Sequence, residues 1–129
     1  MQRLKILVVS GTRETAAWLS DMLGLSGDEV DAVTDGADGF RRVWDADYDV
    51  IVSELGVPGI DGRDLYMAFQ NTWPELTRRM VFLCGEPSSE LEQFVARTSV
   101  PFVRGPVSLI ELREAVRCVC ALPHPRALV

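Results

Sequence analysis

The sequence predicts an α/β fold, a doubly wound parallel sheet of five strands with five helices. Two observations point there. Short β-branched apolar runs alternate with helical-period segments of about ten residues, and Gly-, Pro- and Asp-containing turns separate them over short spacings. Such an alternation gives a parallel sheet covered on both faces, joined by right-handed crossovers. The third observation is local. Asp49-Val50-Ile51-Val52-Ser53 reads as a strand buried on both faces, ends in the acid Glu54, and breaks into Leu55-Gly56-Val57-Pro58-Gly59-Ile60-Asp61-Gly62. A lone carboxylate at the carboxyl end of a buried strand is where an open α/β sheet puts its chemistry.

The 129 residues suit one domain, residues 1–122, followed by a short tail, 123–129. There are no internal repeats and no low-complexity linker. Net charge is -6, which argues against nucleic acid or an anionic membrane as partner. No apolar run approaches the roughly 20 residues that span a bilayer. Three cysteines without metal spacing (Cys84, Cys118 and Cys120) read as reduced thiols in small core positions of a cytoplasmic protein.

Along the chain, Leu4–Val9 is a first strand, turned by Ser10-Gly11. Thr12 N-caps a helix over about 13–25, with Ala16, Leu19 and Leu23 on one stripe. Trp18 and Leu25 lie off that stripe, at its edge or facing a partner. Ser26-Gly27 stops the helix. Glu29–Val33 alternates like a half-covered edge strand. Asp35-Gly36 turns into a second helix, about 37–46, whose apolar side is Phe40, Val43 and Trp44. After the central strand and its loop, a third helix, about 63–72, turns Leu65, Ala68 and Phe69 inward, and Trp73-Pro74 ends it. Met80–Leu83 is a fourth strand, broken by Cys84-Gly85. Residues 86–90 open a fourth helix with Leu91, Phe94 and Val95 inside. Val100–Val103 is a short fifth strand. Ser108 and Glu111 form a capping-box pattern for the last helix, about 109–121, with Leu109, Leu112, Val116 and Val119 on one side.

The Pro58-Gly59-Ile60-Asp61-Gly62 loop after a strand ending in an acid resembles the third strand and loop of response-regulator receiver domains. The stretch LCGEPSSELEQFVARTSVPFVRGPVSLIELREAV is similar to receivers attached to sensor histidine kinases. The resemblance runs from about Leu4 to Ala121 and selects the flavodoxin-like strand order 2-1-3-4-5. It also implies a phosphorylation site, and this chain departs from that site throughout. Glu54 stands where the family has its phosphate-accepting aspartate. Ser10-Gly11 replaces the acidic pair that holds Mg²⁺, leaving Glu54 and the Gly56 carbonyl, so metal binding is expected to be lost or weak. Cys84 replaces the hydroxyl residue that answers the phosphoryl group, and a thiol is a weak donor. Gly105 replaces the lysine before proline, with Arg104 one residue earlier as the only candidate for a compensating charge. Phe102 matches the switch aromatic and is expected to be packed, or else to join a fixed binding surface. The extra methylene of Glu54 is expected to carry its carboxylate outward, into the phosphoryl space.

These departures imply a degenerate receiver acting as a phosphorylation-independent interaction module, with Glu54 either imitating a phosphorylated aspartate or, as favoured here, leaving a state fixed by packing. The implied partners are a histidine kinase or other signalling protein, or a second copy meeting the helix 4–strand 5–helix 5 face. Trp18 or Trp44 offers another patch, against edge-of-core packing. The alternatives are an atypical receiver still switched near Glu54 and a binder of a small phosphate-containing ligand, in which Ser10–Thr15 would act as a flavodoxin-like phosphate loop. An enzyme has little support. His124, the sole histidine, lies between prolines in the tail, and Asp35, Asp38, Asp47, Asp49 and Asp61 read as turn, cap and surface acids.

Overall fold

The computed structural model describes residues 3–57, 59–85 and 89–120. Five strands form one parallel sheet: β1 (Lys5–Val9), β2 (Glu29–Val33), β3 (Val50–Glu54), β4 (Met80–Cys84) and β5 (Phe102–Arg104). Their spatial order is β2-β1-β3-β4-β5, as expected. The helices are α1 (Arg13–Gly24), α2 (Gly36–Asp45), α3 (Gly62–Thr72), α4 (Ser89–Thr98) and α5 (Leu109–Cys120). A 3₁₀ turn, Pro74–Arg79, comes after α3 and is absent from the sequence expectation. The opening of the fourth helix at 86–88, the side chain of Leu91 and the tail with His124 lie outside the described residues.

Alternation along the strands divides the core in two. Leu7, Val9, Ile51, Met80 and Phe82 face Leu65, Phe69, Phe94 and Val95 of α3 and α4. Ile6, Val8, Val50, Val52, Val81 and Leu83 face Leu19 and Leu23 of α1 and Leu112, Val116 and Val119 of α5. Full burial of each such side chain stabilises the fold by about 1.5–3 kcal/mol before entropy is charged against it. At the edge strand, the Tyr48 hydroxyl donates to Asp31 at 2.7 Å. Burial, then that carboxylate, pushes its pKa up to about 12.

The helix starts are specified locally. Thr12 accepts from the Thr15 amide, Asp35 from that of Asp38 and Asp61 from that of Asp64. In the Asp-Gly pairs that open α2 and α3, the glycine permits contact with backbone. A Cβ on Gly36 would fall 1.7 Å from the Ile60 carbonyl oxygen, and one on Gly62 would fall 2.6 Å from that of Glu54. Both contacts clamp the loop after β3 between two helix starts.

Several side chains depart from expectation. Trp44 is 65% exposed rather than on the buried side of α2, because Gly36 and Gly39 form that helix's buried face. Trp44 packs instead at the rim, 5.1 Å from Trp73 between ring centroids. Ala68 and Leu109 are only half-buried, whereas Tyr66 is buried against Phe82 and Phe94. Cys84 is buried, but Cys118 is exposed, so it is not a core residue.

Candidate functional site

The carboxyl ends of the strands bring together the positions that the sequence singles out. Ser10 follows β1, Glu54 ends β3 and Cys84 ends β4. Because β3 lies between β1 and β4, Glu54 has Ser10 on one flank and Cys84 on the other. The Glu54 carboxylate turns to the β1 flank. One oxygen accepts from the Ser10 hydroxyl at 2.8 Å and the other from the Gly11 amide at 3.3 Å. The expectation that the longer side chain reaches outward is therefore corrected. Two donors on the β1 loop hold it sideways, where acids would have repelled it. Ser10 is itself fully buried, and its amide donates to the Val33 carbonyl, so this arm of the site is rigidly seated.

The other flank is a cleft of about 340 Å³ lined by Thr15, Glu54, Leu55, Gly56, Leu83, Cys84, Gly85 and Val107. Among the described residues of that lining, Glu54 is the one that carries a charge. The Gly105 amide donates to the Cys84 carbonyl at 2.8 Å, which closes the β4–β5 end with backbone alone. Arg104 turns away from the cleft. It pairs with Glu92 of α4, and its guanidinium carbon lies 5.9 Å from the centre of the Phe102 ring. Phe102 is 42% exposed, so the expectation of a packed aromatic is also corrected. It lies on the outer surface, as does Ile110 of α5.

This donor set does not fit Mg²⁺, which takes near-octahedral oxygens and usually one or two carboxylates. Both oxygens of the Glu54 carboxylate, the one carboxylate there among the described residues, already accept hydrogen bonds, and Ser10 spends its proton on one of them. In the loop after β1, the Thr12 hydroxyl is already engaged. It accepts from the Thr15 amide and donates to the Thr15 hydroxyl, capping α1.

No family model matches the chain. A stretch of 59 residues is 36% identical to the transcriptional regulatory protein HprR of Escherichia coli (strain K12), covering 46% of this chain and 26% of that protein. The match thus spans about a quarter of HprR's length. Among solved structures, the chain resembles the signal receiver domain of a signal transduction histidine kinase from Syntrophus aciditrophicus, with a TM-score of 0.81 and 20% identity over 92% of this chain and 90% of that one. It also resembles the chemotaxis protein CheY4 of Vibrio cholerae, with a TM-score of 0.80 and 22% identity over 92% and 99%. The signal receiver domain of an HD domain-containing protein from Pseudomonas fluorescens Pf-5 gives 0.82 and 20% over 93% and 96%.

The fold is that of response-regulator receiver domains. The element order from β1 to α5 and the strand order are those of that fold. On the receiver fold Glu54, Ser10, Gly11, Cys84 and Gly105 converge, while Arg104 and Phe102 are brought together elsewhere, on the β5 flank beside α4. Sequence reasoning missed Arg79, a buried arginine at the far end of the sheet, although a charged residue directly before the all-apolar β4 was a signal.

Proposed function

We propose that this chain is a degenerate receiver, a phosphorylation-independent protein-interaction module of two-component-type signalling held in one state by packing. The observation that carries this reading is the Glu54 carboxylate fastened to the Ser10 hydroxyl and the Gly11 amide. Phosphoryl transfer depends on charge compensation and positioning. Here the acceptor position is turned aside, and the cleft beside it supplies no lysine, no hydroxyl at position 84 and no metal-holding pair. Imitation of a phosphorylated aspartate is disfavoured on the same ground, because Cys84 and Gly105 have nothing to offer the carboxylate, and it points away from them.

The partner is a protein, either a histidine kinase or another signalling protein, or a second copy of this chain. The α4–β5–α5 face, with outward Phe102 and Ile110 beside the Arg104–Glu92 pair, supplies the aromatic, apolar and charged mixture of such surfaces. We assign it no enzymatic activity and no nucleic-acid partner, and place its action in the cytoplasm. Among the described residues no helix is long and apolar enough to cross a membrane.

An amide NMR titration with Mg²⁺, then beryllofluoride, tests this proposal. The expected result is no shift at 9–12, 54–57, 84–85 or 104–106 at millimolar Mg²⁺. Saturable shifts clustered there would mean a working phosphoryl pocket and would overturn the reading.

A further inference from the structure

The amino end of the sheet, opposite the Glu54 cleft, carries a cavity of about 360 Å³ between the end of α1 and α5. Buried Ile6 of β1, Leu23 of α1 and Val116 of α5 form its floor. Arg113 and Arg117 line it from α5, and Arg3 from the chain before β1. Val116 settles the direction of the α5 pair. Residues 113, 116 and 117 stand at i, i+3 and i+4, so the arginines share a helix face with a buried wall residue. Arg3 and Arg117 are exposed and Arg113 is half-buried, which leaves their charged heads open to solvent over an apolar floor.

These charges are uncompensated. The ion pairs among the described residues use Arg41, Arg63 and Arg104, all outside this cavity. Like charges at i and i+4 destabilise a helix, and an anion between them would reverse that cost. Among the described lining residues the one acid is Asp28, and one of its oxygens accepts from the Leu4 amide at 3.0 Å. Three arginines against one aspartate make a cationic pocket on a chain whose net charge is -6.

We propose that this cavity binds a diphosphate group, free or carried by a small organic ligand. Guanidinium forks match phosphate oxygens two at a time. A single phosphate, at about -1.5 to -2, leaves one of three arginines unanswered, whereas a diphosphate answers all three. The exposed Ser26 hydroxyl adds a donor at the rim, and the apolar floor has room for an organic substituent. The site shares no residue with the Glu54 cleft.

The probe is inorganic pyrophosphate, titrated without metal into the full chain at about 0.15 M salt and followed by amide NMR. Saturable shifts at 3–6, 23–28 and 113–117 are expected, with methyl phosphate binding roughly tenfold more weakly. ADP in a parallel titration separates the two sources. Tighter binding than pyrophosphate would uphold the site for an organic diphosphate, and exclusion of ADP would uphold it for the free anion. Arg117→Ala, at an exposed position, should weaken binding about tenfold while the spectrum stays folded, and Arg41→Ala, outside the cavity, should change nothing. Absence of shifts at millimolar pyrophosphate would overturn the proposal and leave Arg117 as a counter-charge to the carboxyl end of α5. Equal effects of the two variants, equal binding of methyl phosphate, or shifts confined to 10–15 would overturn it as well.

Discussion

Glu54 and Ser10 act as one unit. A glutamate at the end of a buried strand needs donors, and a serine buried beside it needs an acceptor. Each supplies what the other lacks at 2.8 Å. Hydrogen bonds to a charged group contribute about 1.5–3 kcal/mol, more than neutral ones. Ser10→Ala should therefore lower stability by about 1–2 kcal/mol in urea unfolding, with the Gly11 amide retaining part of the carboxylate's satisfaction. A loss of a few tenths would mean that the pair is ornamental and that the carboxylate is free to reach the cleft. That this glutamate turns sideways was not legible in the sequence. Residue types name the position, but the direction of a long side chain is decided by which donors the neighbouring strand presents.

Helix starts were legible because their chemistry is local. Thr12 caps its helix as its type and position imply, and Asp35 and Asp61, read from the sequence as turn and loop acids, likewise accept from an amide three residues on. The buried stripe of α1 arises from its apolar spacing in the same way. The buried face of α2 was not legible, since it is made of glycines and the apolar periodicity there points to Phe40, Val43 and Trp44 at the margin. The 3₁₀ turn also escaped, because six residues carry no helical period, and Pro74 announces the end of α3 without specifying a tighter turn beyond it. The glycine face yields a contrast between two helices. At Gly36 a methyl group would overlap the Ile60 backbone, so Gly36→Ala should cost about 3 kcal/mol or more and displace the loop after β3. Near the end of α1, a methyl group on Gly24 meets nothing within 4 Å, and Gly24→Ala should stabilise by about 0.5–1 kcal/mol. Urea midpoints of the two variants moving in the same direction would refute this account of how the loop is clamped.

At the scale of the whole molecule, the proposed reading separates the scaffold from the chemistry. The sheet order is that of a receiver fold and rests on a two-sided core, while the positions proposed to have lost their chemistry are side chains on strand ends or the loops after them. If that separation is real, the pocket is recoverable without redesigning the core. Ser10→Asp and Gly11→Asp would restore carboxylates on the β1 loop, and Glu54→Asp would shorten the central acid. Cys84→Thr would return a hydroxyl, and Gly105→Lys a cation. Position 105 has the room, since a Cβ there meets the Gly85 backbone at an ordinary 3.4 Å. Without metal the combined variant should be less stable than the natural chain, because it gathers three carboxylates at one place and one of them, at position 10, is fully buried. Mg²⁺ binding only the folded state would then raise its urea midpoint with metal concentration, while the natural chain's midpoint stays flat. Beryllofluoride should add a further rise in the variant alone. A folded variant with an Mg²⁺-independent midpoint would show that the loops themselves have moved out of register with the chemistry, and that the loss extends from side chains into the backbone.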